Sequence, residues 1–314
     1  MLKKLLVAGI AATSFVGVAS ADGHQLVDNI DFLIPGGAGG GWDGTARGTG
    51  EALTGAGLVG SATYENMSGG GGGVAIGHLI ENADSLHGTM MVNSTPIVIR
   101  SLQGVFPYNF RDLTMVAGVI GDYGAMVSHA GSSITSMDDL VAAYNADASS
   151  VAVGGGSVPG GMDHLIAAAV LNAAGADATQ VAYLPYDAGG EAMAGLLSGE
   201  IEALSTGFGE AKALAEQGEV NILCVTSPAG ATDYAACPAE FVNWRGFFAS
   251  PTIPAETVDS YRAALAAMYD TPEWEAVRER NGWVNIFNEG DDFVSFLEDQ
   301  EKVIGDLMTS LGFL

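Results

Sequence analysis

Gly36, Gly37, Gly39, Gly40, Gly41 and Gly44 stand within nine residues, between the apolar run Ile30 to Pro35 and a helix-like segment from Thr45. Glycines this dense cost chain entropy, and the pattern suits one kind of chemistry. A bare turn at a helix start lets unpaired backbone N–H groups approach an anion, with the helix dipole in support. Two later segments repeat the arrangement. Gly154-Gly155-Gly156-Ser157-Val158-Pro159-Gly160-Gly161 and Pro185-Tyr186-Asp187-Ala188-Gly189-Gly190 each join a short strand to a helix. Facing each other across a cleft, such junctions would hold an anion by main-chain donors from both sides. No nucleophile is required for that.

Other chemistries fit the residues less well. Gly39 to Gly44 satisfies GxGxxG literally, and Glu65 follows about twenty residues on, the outline of a dinucleotide fingerprint. Trp42 inside the turn is bulky for pyrophosphate approach, and an exported chain has no evident nicotinamide supply. There is no GxxxxGK[ST] and no HExxH, and Ser157 lies in GGSVP rather than GxSxG. His24, His78, His87, His129 and His164 are scattered without metal-ligand spacing, so neither a metal nor a cofactor is expected. His164 reads as a capping or packing residue. Asp43 reads as the N-cap of the helix that follows, with an i,i+4 ion pair to Arg47. Arg100 and Arg245, scarce cations here, could each meet a ligand carboxylate, but read by default as members of structural ion pairs. Tyr186 reads either as a hydroxyl offered to a ligand or as a buried loop tyrosine. A secreted hydrolase with a nonsequential triad and an exported dinucleotide-binding oxidoreductase are the rival functions.

These loops need elements to hold them. Ile30–Pro35, Ala62–Glu65 and Thr89–Asn93 read as strands, with helices over 45–53, 74–83 and 96–102, the last capped by Ser94 or Thr95. Thr114 to His129 is a long β-type run broken by Gly121-Asp122-Tyr123-Gly124. Strands at 151–153, 181–184, 201–204 and 220–226 alternate with helices at 162–174, 191–198 and 210–217. The last third carries amphipathic helices at 257–269, 272–280 and 291–311. Such alternation predicts an α/β fold with mainly parallel sheets and a ligand where strands run into helix N-termini.

Lys3 and Lys4, the apolar run Leu5 to Val18 and Ala19-Ser20-Ala21 make the pattern of a secretory signal peptide, cleaved after Ala21. The remaining chain has nine basic residues against 37 acidic ones. Such a surface repels nucleic acid and anionic membranes, so an anion site must work through local donors. Cys224 and Cys237, in an exported chain, read as a disulfide, the alternative being two free thiols.

The order IPGGAGGGWDGTAR, YENMSGGGGG, NSTPIVIRSLQG, GGGSVPGGMDHL, YLPYDAGGEAMAGLLSGEIEAL and NWRGFFASPTIP resembles the substrate-binding proteins of tripartite tricarboxylate transporters, the Bug-type family. The resemblance covers nearly the whole mature chain. It implies a periplasmic, two-lobed type II binding-protein fold of α/β class that closes on a small tri- or dicarboxylate. It also implies a monomer that works with a two-component membrane permease and is not an enzyme. Carried over by position, one lobe supplies Pro35, Gly36, Gly37, Ala38, Gly39 and Asp43, with Asn93, Ser94 and Thr95. The other supplies Gly155, Gly156, Ser157, Asp163, Tyr186, Asp187, Gly189 and Gly190. The expected lobes are 22–122 with 227–314, and 123–226, with crossings near Gly121–Gly124 and Val225–Ser227. Trp42 and the extra glycine of the first loop depart from the family pattern.

Overall fold

The computed structural model describes residues 25–314. The expected leader and its cleavage after Ala21 lie outside the described residues.

Ten strands form one continuous hydrogen-bonded path that curls through two sheets. They are β1 (Val27–Ile34), β2 (Val59–Asn66), β3 (Thr89–Ser94), β4 (Thr114–His129), β5 (Ala152–Gly155), β6 (Ala182–Pro185), β7 (Ala203–Gly207), β8 (Val220–Val225), β9 (Val242–Ala249) and β10 (Val284–Glu289). The order is β2-β1-β3-β9-β4-β7-β5-β6, with β8 and β10 also pairing β4. Pairs β1–β2, β1–β3, β5–β6 and β5–β7 are parallel, whereas β4 runs antiparallel to β7, β8, β9 and β10. β3 is buried at all six positions, as a strand covered on both faces must be.

The helices are α1 (Gly41–Gly55), α2 (Gly73–Glu81), α3 (Thr95–Leu102), α4 (Met137–Ala146), α5 (Met162–Ala173), α6 (Gly189–Ser198), α7 (Phe208–Glu216), α8 (Ala255–Met268), α9 (Pro272–Asn281) and α10 (Gly290–Ser310). Among the described residues none is long and apolar enough to cross a membrane. One core lies under β1, β3 and β9, where Phe32, Phe247, Leu265 and Trp274 pack together. A second joins β4, β7, α6 and α7. The largest joins α3, α5 and α10, with Phe248, Phe293 and Leu297 inside it. Each such side chain taken fully from water contributes about 1.5–3 kcal/mol.

β4 carries the chain from one sheet to the other. Its residues Thr114–Tyr123 pair with β9 and its residues Gly124–Val127 pair with β7. The break expected at 121–124 is absent: the strand continues unbroken through all sixteen residues. The glycines there answer to packing instead. A Cβ at Gly121 would lie 2.6 Å from both Ile286 and Val242, and one at Gly124 would lie 2.9 Å from Ile166.

Three further expectations are corrected. The last third holds strands β9 and β10 as well as helices, and β9 sits in the middle of its sheet. α1 begins at Gly41 rather than Thr45, so Trp42 and Asp43 lie inside its first turn. Ser94 occupies the N-cap of α3 but makes no side-chain cap bond, because its Oγ accepts the Trp42 indole N–H at 2.9 Å.

The cysteines form a disulfide, Cys224–Cys237, with Cα atoms 4.9 Å apart, within the ordinary span of such a bond. The Cys237 N–H donates to Val225 O at 2.7 Å, so the bridge pins the segment after β8 against the end of that strand.

Candidate functional site

The three glycine junctions converge. The turn after β1 leads into α1, the turn after β5 into α5, and the turn after β6 into α6. Between them lies a cavity of about 90 Å³. One side is walled by Gly36, Gly37, Gly40, Gly41, Trp42, Ser94 and Pro96, and the opposite side by Gly156, Ser157, Met162, Asp163, Asp187, Ala188 and Gly189. Tyr123 and Gly124 on β4, Thr206 and Gly207 at the end of β7, Glu210 in the first turn of α7, and Asn243 and Arg245 on β9 complete the wall.

The two sides touch. A Cβ at Gly37 would lie 3.0 Å from the Ala188 Cβ and 3.1 Å from Asp187 Oδ2, and one at Gly190 would lie 3.1 Å from Ala38 O. Glycine is what lets the two backbones approach this closely. Two hydrogen bonds also cross the gap. Ser68 Oγ donates to Asp187 Oδ1 at 2.5 Å, and Gln103 Nε2 donates to Gly160 O at 3.0 Å.

Of the residues expected at a ligand, Gly36, Gly37, Ser94, Gly156, Ser157, Asp163, Asp187 and Gly189 line this cavity. Ala38 and Gly39 abut Gly190 at the contact between the sides. Asp43 stands behind the wall rather than on it. Its Oδ2 accepts the Gly39 N–H at 3.0 Å, and its Oδ1 pairs with Arg47 at 2.8 Å and takes an Asn66 amide N–H at 3.1 Å. The ion pair to Arg47 is as expected, but Asp43 sits three residues inside the cap position and fixes the turn by reaching back to it. Asn93 and Thr95 are buried beneath the wall, Asn93 Oδ1 accepting the Ser94 N–H at 2.8 Å. A Cβ at Gly155 would press against Asp163 Cβ at 2.6 Å. The Tyr186 hydroxyl donates to Glu200 at 2.9 Å, and the residue lines a neighbouring cavity together with Pro35. His164 packs as expected, stacked on Tyr183 with ring centres 4.4 Å apart while its Nδ1 accepts the Gly160 N–H.

The wall is rich in carboxylates. Burial drives Asp163 up to about 8, with the nearby Glu210 charge adding to the shift and the Gly156 N–H opposing it. Burial likewise drives Glu210 up to about 7, opposed chiefly by Arg245. Thr206 Oγ1 donates to Glu210 Oε2 at 2.8 Å. The Ser157 hydroxyl accepts the Asp163 N–H at 3.0 Å and meets the Tyr183 hydroxyl at 3.0 Å. Several loop donors are thus already engaged by side chains of the protein, which stiffens the turns around the space they leave.

Tyr123, Thr206, Glu210 and Asn243 escaped the sequence reading as cavity residues. Thr206 and Glu210 flank a fourth strand-to-helix junction, β7 to α7, whose glycines Gly207 and Gly209 are too sparse to draw attention. Arg245 was visible as a scarce cation, and its expected ion pair is present, to Asp122 at 2.8 Å. The matching expectation for Arg100 fails: among the described residues it forms no ion pair and contacts Gln103 instead.

No curated protein matches the sequence significantly. Solved structures match its fold closely. The periplasmic binding protein BugD aligns over 91% of this chain and 98% of its own at 17% identity, with a TM-score of 0.81. MatC from Rhodopseudomonas palustris with bound malate aligns over 90% of this chain and 99% of its own at 15% identity, with a TM-score of 0.77. A second R. palustris protein, with adipate, aligns over 91% of this chain and 97% of its own at 18% identity, with a TM-score of 0.81. The fold is therefore that of a two-lobed periplasmic binding protein. Residues 54–313 match the profile of the tripartite tricarboxylate transporter family receptor. The chain belongs to that family of receptors.

Proposed function

We propose that the protein is a periplasmic receptor that encloses a small organic carboxylate between its lobes and delivers it to a two-component membrane permease. One lobe comprises residues 22–122 with 227–314, and the other residues 123–226. Export removes residues 1–21, the receptor works as a monomer, and it performs no catalysis on its ligand. The observation that carries the reading is the cavity where the glycine turns of 36–41, 156–161 and 187–190 face one another at van der Waals distance. Backbone N–H groups at helix starts suit carboxylate oxygens, and turns without side chains permit the approach. Hinge closure around a ligand is the usual motion of such folds. Malate and adipate in two structural relatives support the ligand class.

Thermal-shift screening of mono-, di- and tricarboxylates tests this. A ligand at about 100 times its dissociation constant adds roughly 2.7 kcal/mol to stability, which moves a melting curve visibly. A panel in which no carboxylate shifts the transition would overturn the proposal.

A further inference from the structure

Arg100 stands apart from the other arginines. Arg47, Arg111, Arg245, Arg262, Arg278 and Arg280 each form an ion pair; among the described residues Arg100 forms none. In a chain with 37 acidic residues against 11 basic ones, a guanidinium without a carboxylate is the exception. Its Nη1 donates to Gln103 Oε1 at 2.7 Å, while its Nε is buried without a partner. Partial burial holds its pKa below the usual arginine value, with no neighbouring carboxylate to offset the effect. A cation kept this way costs stability unless an anion completes it.

The space beside it is built for one. Arg100 lines a second cavity of about 70 Å³, which adjoins the first past Trp42, Pro96, Gly156, Ser157, Met162 and Asp187, the residues common to both walls. Gly69, Gly70, Gly71 and Gly72, with φ of 136°, 62°, 67° and 97°, turn the chain around it in a conformation that side chains resist. A Cβ at Gly71 would lie 3.3 Å from Arg100 Nε and 3.3 Å from Val158, so any side chain there would crowd the space beside the guanidinium. The one carboxylate on this wall, Asp187, is held by Ser68 at 2.5 Å.

We infer that Arg100 receives the distal carboxylate of a linear dicarboxylate whose proximal carboxylate lies in the cavity between Gly37 and Gly156. This rests on the carboxylate-receptor reading and narrows it. The planar guanidinium grips a carboxylate through two parallel N–H donors, and a monocarboxylate leaves that grip unused. Selection between diacids and monoacids then resides in Arg100.

Titration calorimetry on the full chain with adipate and with hexanoate, its one-carboxylate counterpart, is the test. Arg100→Gln should weaken adipate by about tenfold or more and leave hexanoate within about twofold. Arg100→Lys, which keeps the charge but loses the fork, should fall between. If Arg100→Gln does not fold, the Lys variant carries the comparison. Equal weakening of both acids, unchanged adipate affinity, or a wild-type protein that binds both acids equally would overturn the inference. A wild-type protein that binds no carboxylate at all would instead overturn the receptor reading on which it rests.

Discussion

Arg245 Nη2 lies 2.8 Å from Asp122 Oδ2, and both side chains are almost wholly removed from water, at 3% and 0% exposure. The pair links four elements. Arg245 Nη1 also donates to Thr45 Oγ1 on α1 at 3.1 Å, and Asp122 Oδ1 accepts the Gly209 N–H on α7 at 3.2 Å. β4 and β9 supply the partners themselves, at the point where β4 passes between the sheets. Although Arg245 reaches the cavity wall, its charge is spent on structure.

Removing one partner strands the other without water. Asp122→Asn should therefore lower unfolding stability by about 3–5 kcal/mol, read from denaturant titration. A loss below about 1 kcal/mol would mean that water or Glu210, 3.9 Å from Arg245, takes over the pairing.

Asp163, pushed up to about 8, and Glu210, pushed up to about 7, hold protons in the folded protein that the unfolded chain releases near the ordinary carboxylate range. The folded state binds more protons in that window, so stability must decline as pH rises through the folded values. Ligand-free protein should melt at a lower temperature at about pH 8 than at about pH 6, with a slope approaching roughly 1 kcal/mol per pH unit for each proton. Asp163→Asn and Glu210→Gln should each flatten that slope. An unchanged profile in both variants would remove these two groups as its source.

Gly37 marks where the two sides of the cavity meet, 3.0 Å from Ala188 once a Cβ is imagined on it. Gly37→Val should wedge the cleft open and weaken carboxylate binding by about tenfold or more while the protein still folds, because Gly37 is not among the glycines of positive φ. Small-angle scattering should show a larger radius of gyration for the variant at saturating ligand. Equal radii and equal affinity would mean that this contact does not govern closure.

The Cys224–Cys237 bridge closes a loop with a sequence separation of 13. In the chain-entropy account its loss costs roughly 3 kcal/mol. The double serine variant should unfold at correspondingly lower denaturant, and both thiols of the oxidised, denatured wild type should resist a maleimide probe.

The glycine turns were legible because dense glycine between a strand and a helix has few explanations other than close backbone approach. The helices of the last third were legible from their periodicity. β9 was not, since Arg245 and Gly246 interrupt its apolar run and the burial of Arg245 depends on an aspartate 123 positions away. Gly121 and Gly124 resembled a break because sequence alone does not distinguish a turn glycine from one crowded by Ile286 or Ile166. Asp163 was expected at the site by its position, whereas Glu210 passed as an ordinary surface acid in an acidic chain. Arg100 looked like one more paired cation, and only the positions of the carboxylates reveal that it has no partner.

The central claim is that the space between the glycine turns holds a carboxylate. A crystal structure grown with whichever acid raises the melting temperature most tests it directly. The account predicts ligand density between Gly37 and Gly156, with carboxylate oxygens on backbone N–H groups of the turns. Density only outside that cavity, or lobes closed on an empty cavity at saturating ligand, would contradict it.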